Sequence, residues 1–135
     1  MFMTPQKTAR QYQETQFATA DRGTLLVLMF DGALRFLGEA EAGLHAQDVA
    51  RFADRLGRAQ AVIAELLHTL DHASGGEVAA NLERLYRFML EHLVEANLQK
   101  SPAHVALVRR LLAVVADAYR EVVARGVPQG ALDAA

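Results

Sequence analysis

A chain of 135 residues with 52% hydrophobic and 22% charged side chains is sized for one domain and composed like a folded protein, not a disordered segment. Lys and Arg number 14 against 16 Asp and Glu, a net charge of -2, so no basic excess calls for nucleic acid or an anionic membrane. There is no cysteine, which removes disulfides, thiolate catalysis and cysteine-ligated zinc together and fits a reducing compartment.

The first seven residues lack the apolar core of a signal peptide, which predicts a soluble cytosolic protein. Residues 1–20 are polar, with Tyr12 and Phe17 as their large apolar side chains. A short helix over 6–16 would share a face among Ala9, Tyr12 and Gln16, and a weakly held N-terminal arm is expected there.

Asp21 is a plausible N-cap for a first helix over 22–42, closed by Gly43. Leu26, Met29, Phe30, Ala33, Leu37 and Ala40 follow the three-and-four spacing of a helix face, and Leu25, Leu28, Gly32 and Phe36 form a second row. Asp31 and Arg35 interrupt this run, leaving it too short to span a bilayer. Asp48 caps a second helix carrying Phe52, Leu56, Ala59, Ile63, Leu66, Leu67 and Leu70. Gly75 and Gly76 are expected to end it, with Ser74 and Glu77 forming a capping box for the third. The third helix carries Val78, Leu82, Leu85, Tyr86, Met89, Leu93 and Ala96. Ser101 followed by Pro102 opens a fourth, with Val105, Val108, Leu111, Leu112, Val115, Ala118, Tyr119 and Val122. Gly126-Val127-Pro128 stops it, and the tail over 127–135 is expected to be disordered.

No strand alternation or internal repeat appears. Four helices joined by short connections predict an all-α, up-down-up-down antiparallel four-helix bundle over 21–126 with a short helical arm before it. Gln60 and Asn97 fall in the apolar stripes and, if buried, need hydrogen-bond partners.

Bundles of this kind often hold metals between their helices. A di-iron site needs two Glu-x-x-His motifs, and only Glu65-Leu66-Leu67-His68 matches, off the apolar stripe. His68 and His72 share the spacing of a chelating pair but read more simply as solvated histidines near a helix end. Gly75-Gly76 lacks the lysine of a phosphate loop. No catalytic, cofactor-binding or metal-ligating residue is assigned, and no enzyme is expected.

The apolar surplus is more informative. A bundle helix needs about three core positions in seven. The first helix exceeds this through Leu25, Leu28 and Phe36, and the fourth through Leu107, Leu111, Val114 and Ala118. Such rows suit an amphipathic partner helix. They also suit a wider core, a covering arm, or the interface of a homo-oligomer or scaffold.

Several segments, taken in order, resemble the FliS-type flagellin export chaperones. Tyr12, Gln16 and Thr19-Ala20 resemble the N-terminal segment of that family, and 25–37 its leucine-rich first helix ending in Asp-Gly-Ala-Ile-Arg-Phe-Leu. The stretch 59–66, then Leu70-Asp71, 75–82, Leu85-Tyr86 and Glu95-Ala96-Asn97 follow the family's second and third helices. Asp21-Arg22-Gly23-Thr24 departs from the usual Ser-Pro-Glu-Lys, and Phe30 replaces the usual tyrosine. The resemblance implies a cytosolic chaperone without cofactor. It would bind the disordered C-terminal segment of flagellin, prevent early polymerisation and deliver it to the cytoplasmic domain of the flagellar export gate. The expected groove residues are Leu25, Leu28, Phe36, Leu107, Leu111 and Val114, with Tyr12, Gln16 and Phe17 as a lid and handover segment. Neither nucleic acid nor membrane insertion is implied, and the expected state is a monomer or a weak or swapped dimer.

Overall fold

The structure, a computed structural model, describes residues 21–126. The arm expected over 1–20, with Tyr12, Gln16 and Phe17, and the tail over 127–135 lie outside the described residues. Four helices follow in order: α1 (Arg22–His45), α2 (Val49–His68), α3 (His72–Gln99) and α4 (Pro102–Ala124).

Each helix starts where a side-chain oxygen meets a free backbone N–H. Asp21 accepts from the Thr24 amide at 2.7 Å, and Asp48 accepts from the Arg51 amide at 3.0 Å. The hydroxyl of Ser101 accepts from the His104 amide at 3.3 Å, just before Pro102. These caps satisfy donors that the first helical turn leaves open.

Two expected boundaries are corrected. Gly43 does not end α1, which continues to His45. Gly43 is buried, and a Cβ there would lie 2.9 Å from the backbone N of Phe52 and 3.2 Å from the carbonyl O of Asp48. The glycine therefore lets the α1–α2 hairpin close, and the reversal is made by Gln47 in the left-handed region at φ 58. Nor does the third helix begin at a Ser74–Glu77 box. Asp71 caps it three residues earlier, accepting from the amides of Ala73 and Ser74 at 3.1 and 3.2 Å. One turn follows, and Gly76 then breaks the helical path with φ 51 and ψ -125, values that suit glycine alone.

Contacts join each helix to the next and α4 back to α1, closing a ring. The directions alternate. Early α1 meets late α4, with the Phe30 and Tyr119 rings 5.0 Å apart. Late α3 meets early α4, with the His92 and His104 rings also 5.0 Å apart. The core is Leu26, Phe30, Ala33, Leu37 and Ala40 of α1 with Phe52, Leu56, Ala59, Ile63 and Leu66 of α2. Tyr86, Met89, Leu93 and Ala96 of α3 and Val105, Val108, Leu112, Ala116 and Tyr119 of α4 complete it.

No polar or charged residue is buried among the described residues. Gln60 is half-buried and Asn97 exposed, so neither requires an interior partner. On α4 the inward row passes through Ala116 rather than Ala118, which is exposed. Burial pushes the Tyr86 phenol well above its ordinary value of 10.0, so the ring stays neutral in the core.

Two measurements test this account. Gly43→Ala is expected to cost about 1–3 kcal/mol in urea unfolding, because backbone must move. Gly57→Ala, where a Cβ meets nothing within 4 Å, should gain up to about 1 kcal/mol from helix propensity. The second test is pH. The backbone amide of Thr24 holds the Asp21 carboxyl, and that of Ser74 the Asp71 carboxyl, below the ordinary 3.8. A lowered folded value stabilises fully above the unfolded value, and this contribution drains as pH falls through the folded one. Below about pH 4, the wild type should therefore lose melting temperature more steeply than a double Asp21→Asn, Asp71→Asn variant, whose caps do not titrate.

Candidate docking surfaces

A helix that buries Leu26, Phe30, Ala33 and Leu37 must turn Leu25, Leu28, Gly32 and Arg35 away, because these recur at the same spacing on another face. With Met29 and Asp31 they line a concavity of about 470 Å³, open to solvent. Leu28 is 43% exposed, and Leu25 and Gly32 are half-buried. The row continues to Glu39, which pairs with Arg35 at 3.7 Å and with Arg55 of α2 at 2.6 Å. On the other flank, Asp31 pairs with Arg120 of α4 and Glu41 with Arg109 at 3.1 Å. The concavity thus faces the α2 side of α1, and its α4 rim is an ion pair.

Phe36 belongs elsewhere. It is half-buried against the core, with the Arg35 guanidinium 5.1 Å over its ring. The α4 residues form a separate surface. Leu107 and Leu111 follow His104 at three and seven residues, and the His104 ring rests near His92 of α3. Their row therefore leans toward α3, away from α1. Leu107 and Leu111 are half-buried, while Val114 is 70% exposed. The six residues expected to form a groove divide into two surfaces on different sides of the bundle, with Phe36 at the margin of the core.

A second concavity, of about 510 Å³, is lined by Phe88, Glu91, His92, Val94 and Glu95 of α3. The sequence reading missed it. The signal was present in Phe88, Val94 and Leu98, large apolar residues off the α3 stripe, which are 39%, 50% and 72% exposed. Phe88 stacks on His92 with ring centroids 4.3 Å apart.

Among the described residues no group of three or more His, Asp and Glu is placed to hold a metal ion. Glu65 and His68 are exposed, and His72 faces Glu83 at 3.6 Å. No described helix is long and apolar enough to cross a membrane.

A buried apolar interior with apolar furrows outside defines the class among the described residues: a small helical bundle that presents apolar surface. The family profile described as "Flagellar protein FliS" matches residues 5–126. A Pseudomonas aeruginosa protein, flagellar secretion chaperone FliSB, is 36% identical over 95 residues, covering 67% of this chain and 75% of its own. The flagellar secretion chaperone FliS of Salmonella typhimurium is 33% identical over 81% of this chain and 82% of its own. That of Campylobacter jejuni is 30% identical over 82% and 87%. This chain belongs to the FliS family of flagellar secretion chaperones.

The placement of the two α1 residues separates their substitutions. Leu28→Asp, on exposed surface, is expected to unfold in urea within about 1 kcal/mol of the wild type. Phe36→Asp puts a carboxylate against the core and should cost about 2–4 kcal/mol.

Proposed function

We propose that this chain is a cytosolic flagellar export chaperone that holds the disordered C-terminal segment of flagellin against its outer apolar faces. It thereby prevents premature polymerisation and delivers the client to the export gate. The observation that carries this reading is the division of exposed and half-buried apolar side chains between two sides of one bundle, Leu25 and Leu28 on α1 and Leu107, Leu111 and Val114 on α4. A client that reaches both must be long and must wrap. A disordered segment does this by folding as it binds, offsetting its ordering cost with buried apolar area. The sealed core supports the same reading, since nothing has to open to receive the client. Tyr12, Gln16 and Phe17 are proposed to form a lid over part of this surface and to take part in handover at the gate.

Calorimetric titration with a peptide from the C-terminal segment of the same organism's flagellin tests the proposal. The expected result is saturable binding with a gain of helix by circular dichroism and a negative heat-capacity change. Leu28→Asp and Val114→Asp should each weaken binding about 10–100-fold, as expected for a central apolar anchor. A protein that ignores the peptide and sediments as a tight dimer would replace this reading with that of a homo-oligomeric scaffold.

A further inference from the structure

The α1 concavity has a shape that its own fold does not require. Its six lining residues are Leu25, Leu28, Met29, Asp31, Gly32 and Arg35. Leu25, Leu28, Met29 and Gly32 stand at i, i+3, i+4 and i+7, and so do Leu28, Asp31, Gly32 and Arg35. Each quartet is the diamond of side chains into which a neighbouring helix inserts one knob. The two diamonds share the edge between Leu28 and Gly32. The first is apolar throughout. The second carries one charge of each sign.

Gly32 is the low point of both. Glycine inside a helix is destabilising relative to alanine, so its presence needs a reason. Gly43 has one, since a Cβ there would meet backbone at 2.9 Å. Positive φ supplies another at Gly76 and Gly126. Neither reason applies to Gly32: its φ is not positive, and a Cβ there would meet nothing within 4 Å. Gly57 of α2 is equally unconstrained but lies exposed and outside both concavities, which makes it a control.

We propose that Gly32 is glycine for the client rather than for the fold. It keeps two adjoining holes open on α1 for a client helix that packs in coiled-coil fashion. This rests on the chaperone reading and adds what the client must present: a large apolar side chain for the hole bounded by Leu25, Leu28 and Met29. A second side chain three or four residues along settles between Asp31 and Arg35. One with an apolar stem and a polar end matches that rim.

The test compares Gly32→Ala, Gly32→Leu and Gly57→Ala in the full chain, by thermal melting and by titration with the same flagellin C-terminal peptide. Both alanine variants are expected to melt at or above the wild-type temperature. Gly57→Ala should bind as the wild type does. Gly32→Ala should bind several-fold more weakly and Gly32→Leu about tenfold or more, since the added carbons occupy the holes. If the wild type binds and Gly32→Ala and Gly32→Leu bind equally well, the inference is overturned while the chaperone reading stands. If Gly32→Ala melts below the wild type, the glycine serves the fold and the inference again falls. A wild type that does not bind the peptide removes the chaperone reading and this inference with it.

Discussion

The complete burial of Leu26, Phe30, Ala33, Leu37 and Ala40 along α1 is the constraint on which the rest of the bundle depends. Side chains advance by about 100° per residue around a helix. Once that row faces α2 and α4, the row of Leu25, Leu28 and Gly32 cannot also be interior. Small residues make the burial possible. Ala33 and Ala40 let neighbouring helices approach α1, and Gly43 lets the chain reverse with its backbone against Asp48 and Phe52. Exposed apolar surface on α1 therefore follows from good packing rather than from a gap in it.

Ion pairs then mark where the apolar furrow stops. Arg120 with Asp31 and Arg109 with Glu41 stitch α1 to α4, while Arg55 with Glu39 stitches α1 to α2. These pairs are partly exposed, and such pairs contribute little to stability. The geometric effect is larger where Asp31, paired with Arg120, and Arg35, paired with Glu39, border the furrow with charge. A helix lying along Leu25 and Leu28 would thus meet apolar side chains beneath it and polar groups at its edges, the usual pattern of a specific protein interface.

Membership of the FliS family accords with this division between inside and outside. The proposed role, holding a disordered client, needs a rigid body and apolar surface at once, and in one short chain the two demands compete. The bundle separates them by radius. Among the described residues twenty apolar side chains, from Leu26 to Tyr119, are buried, and large apolar side chains outside that set, such as Leu28 on α1, Phe88 on α3 and Val114 on α4, reach the surface. The concavity around Phe88 and Val94 shows that α3 carries such surface as well.

Much of this was legible in the sequence. The caps at Asp21, Asp48 and Ser101, the count and order of the helices, and the two rows of α1 all follow from chemistry within one helical turn or from periodicity along one helix. The family could be recognised from the order of short segments. Other features depended on which element covers which face, and that is set by residues far apart in the chain. Phe36 and Leu28 read alike as surplus leucine-rich-helix positions, yet one packs inward and the other outward. Leu107, Leu111 and Val114 resembled partners of the α1 row until the pairing of His104 with His92 turned them toward α3. Gly43 looked like a stop signal because the sequence does not reveal that Phe52 folds back onto it. Periodicity assigns side chains to faces of a helix, and only the packing of helices decides which of those faces meet water.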